Sequence, residues 1–149
     1  MVYQLKYHNH RAIASVIGGL LGNFLRDNTI PADAVIPVPL HPRRERQRGY
    51  NQSSLLAWEI GRRQGIPVID KVVARVKDSP PQASSAGVEE RSRNVQDAFV
   101  VIDRGIIEGR KVVVIDDVCT TGSTLDACAS ALKASGAESV WGLTIAREA

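Results

Sequence analysis

Residues 111–124 carry the pattern that most constrains the fold of this chain. Four consecutive β-branched apolar residues are followed directly by two acids, Asp116 and Asp117, and then by small hydroxyl residues and a glycine. A short, continuous apolar run is typical of a strand that is buried on both faces. An apolar stripe at helical spacing follows over 123–135, and Gly136 stands where a glycine commonly ends a helix. The pattern therefore predicts a buried strand, a tight loop and a helix.

The rest of the chain alternates between runs typical of helices and runs typical of strands. Helices are predicted at 10–26, 51–64 and 123–135, strands at 34–38, 67–69, 72–74, 111–117 and 139–146, and a basic loop at 41–49. This alternation predicts an α/β fold with a mainly parallel central sheet flanked by helices. Such sheets bind ligands beyond the carboxyl ends of their strands. The length of 149 residues fits one domain, 1–149.

The first predicted helix carries an apolar stripe that we expect to face the core. The stripe consists of Ile13, Val16, Ile17, Leu20, Leu21 and Phe24. The apolar run is too short to span a bilayer, so no membrane segment is predicted. Arg26 and Asp27 interrupt the approach to the cleavage site that a signal peptide would need. Two cysteines are too few for a disulfide framework and form no zinc motif, so we expect a reducing, cytoplasmic location.

Charge is divided unevenly along the sequence. Residues 1–75 hold 11 basic and 5 acidic side chains, whereas residues 76–149 hold 8 basic and 11 acidic ones. A basic half suggests an anionic partner without saying which anion. Aromatic residues make up only 5% of the chain, so few rings are available for stacking on nucleic-acid bases.

The acids and hydroxyl residues of 116–124 have the chemistry of a ribose-phosphate site. Backbone N–H groups at the start of a helix suit a phosphate, and Thr120, Thr121, Ser123 and Thr124 can add hydroxyl donors. Two carboxylates beside a phosphate repel it unless the ligand also brings two hydroxyl groups or Mg²⁺. A ribose 5-phosphate brings the two hydroxyl groups. A plain strand–turn–helix with a Thr or Ser cap fits one acid better than two. The Walker A and dinucleotide-binding motifs are absent.

Residues 112–124 resemble the phosphoribosyl-pyrophosphate (PRPP) signature of type I phosphoribosyltransferases, which has four apolar residues, two acids and a T-T-G-x-T-like loop. The resemblance implies that Asp116 and Asp117 are the catalytic pair on the ribose hydroxyls. It also implies Mg²⁺, carried by the substrate with these two acids as candidate ligands. The residues implied around the 5-phosphate are Thr120, Thr121, Gly122, Ser123 and Thr124.

Two further segments resemble the ComF family. Pro37-Val38-Pro39, Arg44 and Arg48-Gly49-Tyr50-Asn51-Gln52 are similar to its P-x-P…R-x-x-x-R-G-[FY]-N-Q segment, and Gln82, Arg91, Asn94 and Ala98-Phe99 to its Q…R-x-x-N…A-F segment. Many members begin with a cysteine-rich zinc module, and this sequence contains no such module. The family is associated with DNA uptake during natural transformation, so the resemblance implies contact with single-stranded DNA or with the competence machinery.

The arginine cluster permits three interpretations. Arg43, Arg44, Arg46 and Arg48 lie within six residues directly after a predicted strand. They are compatible with a solvated charge run, with a pyrophosphate site to which Arg44 and Arg48 contribute, or with contact to a nucleic-acid backbone.

The segment 77–90 is a long polar loop of the kind that is often functional. We interpret it as a candidate lid that excludes water from the site. Gln82 within it and Arg91 directly after it are the candidate lid contacts.

The resemblance implies a glycosyltransferase of the pentosyl type that binds PRPP with Mg²⁺ and transfers the phosphoribosyl group to an unidentified acceptor. The alternative is a non-catalytic module of the competence machinery that binds PRPP, a nucleotide or single-stranded DNA. Hydrolysis of a phosphorylated sugar is a third interpretation. Type I relatives are often dimers, so the resemblance also suggests a homodimer.

Overall fold

The computed structural model describes residues 10–76, 98–119 and 122–147, and helices alternate with strands through most of this part of the chain. The elements are α1 (His10–Asp27), β1 (Ala34–Pro37), α2 (Pro42–Arg48), α3 (Gln52–Gln64), β2 (Val73–Arg75), β3 (Phe99–Val101), α4 (Arg104–Ile107), β4 (Lys111–Cys119), α5 (Ser123–Ala134) and β5 (Ser139–Arg147). The predicted helices and the predicted first, fourth and last strands are confirmed to within two residues at each end.

A parallel sheet in the order β1-β4-β5 forms the centre of the molecule. Ala34 lies opposite Val112, and Lys111 lies opposite Ser139, so the three strands run in the same direction. The apolar run in β4, Val112 to Ile115, is fully buried. A central strand covered on both faces explains why this run does not alternate with polar residues. The predicted α/β fold with a mainly parallel sheet is confirmed.

The two faces of the sheet support separate apolar cores, because successive side chains of a strand point to opposite faces. Val112 and Val114 face α5, whereas Val113 and Ile115 face α1 and α3. Cys128 and Leu132 of α5 belong to the first core, and the helices of the second core contribute Ala14, Ile17, Leu21, Leu25, Leu56, Ala57 and Ile60. Because helices cover both faces of the sheet, the loops that follow its strands lie at the carboxyl edge.

An antiparallel pair, β2 and β3, stands apart from the parallel sheet, with Val73 opposite Val101. The strand predicted at 72–74 is therefore present one residue later. The strand predicted at 67–69 is reduced to a single bridge between Val68 and Val35. The loop predicted at 77–90 lies outside the described residues.

The apolar stripe predicted for the first helix is half wrong. Ile17 and Leu21 are buried as expected, but Val16, Leu20 and Phe24 are largely exposed. The buried face instead continues through the small Ala14 and through Leu25. Helical periodicity finds apolar faces, but it does not decide which of two adjacent faces meets the sheet. No helix among the described residues is long and apolar enough to cross a membrane.

The loop predicted at 41–49 is wrong, because Pro42–Arg48 forms a short helix. His41 caps its start by accepting a hydrogen bond from the Arg43 N–H through Nδ1, and Pro42 occupies the first turn. Gly49 ends the helix with a φ of 83°, a left-handed conformation that favours glycine. None of the helix residues is buried, so capping rather than apolar packing sets its limits.

Candidate functional site

Two acidic side chains lie near the carboxyl end of the central strand. Asp117 is 6% exposed, and Asp116 is partly exposed. The backbone N–H of Asp117 donates to Asp116 Oδ1 at 2.9 Å, and Thr144 Oγ1 on β5 donates to the carbonyl oxygen of Asp117 at 3.2 Å. The predicted acid pair therefore occupies the edge at which parallel sheets bind ligands.

The first turn of α3 contacts both acids. Gln52 Nε2 donates to Asp117 Oδ2 at 2.9 Å, and Ser53 Oγ lies 3.4 Å from Asp116 Oδ1. Both α3 residues are buried. The predicted site did not include them, although the motif Arg48-Gly49-Tyr50-Asn51-Gln52 was a signal that could have led to Gln52.

Asn51 fixes the start of α3 relative to β1. Its side-chain oxygen accepts from the Ser53 N–H at 3.0 Å, and its Nδ2 donates to the carbonyl oxygen of Val38 at 3.1 Å. Asparagine is a strong N-cap, and this one also reaches the residue that directly follows β1. Asn51 thereby places the first turn of α3 beside the acids.

Helix α2 presents its arginines on two faces. Arg44 and Arg48 lie four residues apart on one face, and Arg43 and Arg46 lie on the other. Arg48 Nη1 donates to Gln52 Oε1 at 3.1 Å, which connects the first face to the acid pair. Arg43 and Arg46, on the second face, are exposed.

The acid pair carries an electrostatic cost. Burial, followed by the adjacent negative charge and hydrogen bond of Asp117, raises the pKa of Asp116 from 3.8 to about 7. Two close carboxylates in a partly desolvated place are stabilised by a proton, a cation or hydroxyl donors. The arrangement therefore suits a ligand that brings hydroxyl groups or Mg²⁺.

The helix after the acid pair begins at a glycine. Gly122, with a φ of 83°, occupies the N-cap of α5, and it has no side chain to cap the helix. Ser123 and Thr124 form the first turn and are partly exposed. The structure thus brings three of the five predicted phosphate-site residues to a helix N-terminus near the acids. Thr120, Thr121, Gln82 and Arg91 lie outside the described residues.

Within the described ranges, no three His, Cys, Asp or Glu side chains are placed to hold a metal ion together. Asp116 and Asp117 supply two carboxylates. Mg²⁺ commonly uses one or two protein carboxylates and completes its shell with water and substrate phosphates. The acid pair fits that mode of binding.

Residues 50–147 match the family model for the phosphoribosyl transferase domain. The chain belongs to this family. Among curated proteins, it is 34% identical to competence protein F of Haemophilus influenzae over 152 residues, which cover 96% of this chain and 66% of that protein. It is 32% identical to DNA utilization protein YhgH of Escherichia coli K12, over 94% of this chain and 63% of that protein. These relatives confirm the resemblance to the ComF family, and this phosphoribosyltransferase-family chain spans just under two thirds of their lengths.

Solved structures support the same fold. The glutamine PRPP amidotransferase from B. subtilis complexed with ADP and GMP aligns with a TM-score of 0.62 at 21% identity, over 91% of this chain and 26% of that one. A purine phosphoribosyltransferase from Pyrococcus horikoshii aligns with a TM-score of 0.53 at 18% identity, over 88% of this chain and 69% of that one. At these identities the likeness shows the type I phosphoribosyltransferase fold.

Proposed function

We propose that this chain binds PRPP together with Mg²⁺ and transfers its phosphoribosyl group to an acceptor. The observation that carries the proposal is the acid pair Asp116–Asp117, near the carboxyl end of the central strand and followed by the glycine-capped start of α5. A ribose 5-phosphate offers hydroxyl groups to the acid pair and a phosphate anion to the start of α5. The family membership and the names of the relatives support a competence-related phosphoribosyltransferase-like protein.

The proposed reaction breaks the bond between ribose C1 and the pyrophosphate oxygen, which leaves with the bonding electron pair. The acceptor nucleophile forms the new bond to C1. Asp116 and Asp117 accept hydrogen bonds from the ribose hydroxyls, and their negative charge offsets the positive charge that develops on the ring. Arg44 and Arg48 take up negative charge on the leaving pyrophosphate. Gly122, Ser123 and Thr124, with the predicted Thr120 and Thr121, hold the 5-phosphate.

Mg²⁺ fits this assignment because the acid pair provides two carboxylates and the substrate provides phosphate oxygens. When bound, the ion supplies positive charge that neutralises the pyrophosphate. Gln82 and Arg91 remain the proposed lid contacts.

Release of pyrophosphate tests transfer directly. We expect the wild-type chain to release pyrophosphate from PRPP and Mg²⁺ when a panel of purine and pyrimidine bases is supplied. Asp117→Asn is expected to be inactive because it lacks the carboxylate charge. The measurement is a coupled pyrophosphate assay with each base in turn. Equal release by the wild type and Asp117→Asn would contradict transfer at this site.

The second candidate function is binding of single-stranded DNA without catalysis. The outward face of α2, with exposed Arg43 and Arg46, favours it because these residues lie on the helix face opposite Arg44 and Arg48. The relatives named for DNA utilization and competence also support a function in DNA binding. Arginine side chains bind phosphates of a nucleic-acid backbone independently of its sequence.

For this candidate, Arg43→Gln/Arg46→Gln is expected to weaken binding of a single-stranded oligonucleotide. The slope of log affinity against log salt should fall by about 1.4, since each lost phosphate contact on a single strand removes about 0.7. Fluorescence anisotropy over a salt series gives that slope. Arg62→Gln/Arg104→Gln, which removes two other exposed charges, is the control. An equal change in the control would show that only net charge matters.

A further inference from the structure

A buried amide connects the basic helix to the acid pair. Gln52 is 4% exposed, its Nε2 donates to Asp117 Oδ2 at 2.9 Å, and its Oε1 accepts from Arg48 Nη1 at 3.1 Å. The two contacts define the orientation of the amide, because its nitrogen donates to a carboxylate and its oxygen accepts from a guanidinium. Gln52 therefore lies between the residue assigned to pyrophosphate and a residue assigned to ribose.

We propose that Gln52 is a positioning residue that couples the pyrophosphate-binding and ribose-binding parts of the site. The inference rests on the proposed function, which assigns Arg48 to the pyrophosphate and Asp117 to the adjoining ribose of one ligand. The Gln52 amide restrains the Asp117 carboxylate, and Arg48 restrains that amide. Gln52 and Asp117 are buried, and a hydrogen-bonded chain that runs through them transmits a change at one end to the other. Arg48 thus influences how Asp117 meets the ribose without touching the ribose.

The neighbouring asparagine shows what a purely structural role looks like at this point in the chain. Asn51 uses its side chain on two backbone groups, the Ser53 N–H and the Val38 carbonyl oxygen. The partners of Gln52 are both charged side chains of the candidate site, and they lie 4 and 65 residues away in sequence. Start-of-helix geometry is already supplied by Asn51, so the contacts of Gln52 are available for positioning.

Ribose 5-phosphate isolates this coupling, because it lacks the pyrophosphate that Arg48 is assigned to bind. In titrations with ribose 5-phosphate and Mg²⁺, we expect Gln52→Met, which fills a similar volume without hydrogen bonds, to lower affinity about tenfold. Arg48→Met should lower the affinity for ribose 5-phosphate about fivefold in the wild-type background. In the Gln52→Met background, Arg48→Met should not change this affinity. Arg62→Met, which removes a distant exposed charge on α3, should leave it unchanged in both backgrounds.

A second variant keeps the test independent of the stability of Gln52→Met. Gln52→Glu retains an acceptor for Arg48 but sets a carboxylate against Asp117, so ribose 5-phosphate affinity should fall further than in Gln52→Met. Thermal melting checks that each variant is folded. Suppose that the wild type binds ribose 5-phosphate, and that Arg48→Met lowers this affinity equally in both backgrounds or leaves it unchanged in both. Either result refutes the coupling, while the proposed function stands. If the wild type binds neither PRPP nor ribose 5-phosphate, the proposed function itself fails.

Discussion

Asp117→Asn is expected to lower the affinity for PRPP about 100-fold in the presence of Mg²⁺. A hydrogen bond to a charged group contributes about 1.5–3 kcal/mol, and the substitution removes the charge while keeping the shape of the side chain. Asparagine still offers an oxygen to Gln52 Nε2, so the contact that supports the buried side chain is retained. Calorimetric titration of wild type and variant with PRPP gives the ratio of dissociation constants.

The control for this prediction is Asp126→Asn. Asp126 lies in the first turn of α5, close in sequence to the proposed phosphate residues, but its side chain is exposed. The Asp126→Asn substitution removes one negative charge, as Asp117→Asn does, but leaves the acid pair intact. PRPP affinity should therefore change less than threefold, which is about the size of a screened surface effect. Equal losses in Asp117→Asn and Asp126→Asn would contradict a specific role for Asp117.

Asp116→Asn is expected to stabilise the protein at pH 8. The pKa of Asp116 rises from 3.8 to about 7 on folding, chiefly because burial disfavours its charge and because Asp117 adds a like charge. A raised folded-state pKa means that the contribution of this group to stability is fully present below pH 3.8 and is lost as the pH rises through about 7. At 1.36 kcal/mol per pKa unit, the loss by pH 8 is about 4 kcal/mol.

Urea denaturation of wild type and Asp116→Asn between pH 5 and pH 8 measures this effect. The variant mimics the protonated, uncharged side chain, so its free energy of unfolding should exceed that of the wild type at pH 8, with the difference shrinking toward pH 5. The difference reports the coupled pair of Asp116 and Asp117, because the titrating groups outside this pair are common to both proteins. A difference that stays constant over this range would contradict the electrostatic account of the acid pair.

The central strand and the position of its acids were predictable because their signals are local. The apolar run Val112 to Ile115 needs no distant partner to be recognised, and the acids directly follow it. The helix at Pro42–Arg48 was missed because its four arginines show no apolar period, whereas its caps, His41 and Gly49, are single residues. Short helices that capping stabilises escape a search for hydrophobic periodicity.

The contact between Gln52 and Asp117 was not predictable from either segment alone. The two residues are 65 positions apart, and they meet because β1 pairs with β4 and α3 packs against both strands. The exposure of Val16, Leu20 and Phe24 had the same origin, since the tertiary arrangement selects which face of α1 meets the sheet. Local patterns located the acids, and long-range packing supplied the residues that hold them.

Calorimetric titration of the wild-type chain with PRPP, with and without Mg²⁺, tests the proposed ribose-phosphate site most directly. The account predicts binding that requires Mg²⁺, because in the proposed site the acid pair and the substrate phosphates would hold the ion together. No measurable binding with Mg²⁺ present would contradict the proposed function, and the DNA-binding candidate on the outward face of α2 would then take precedence.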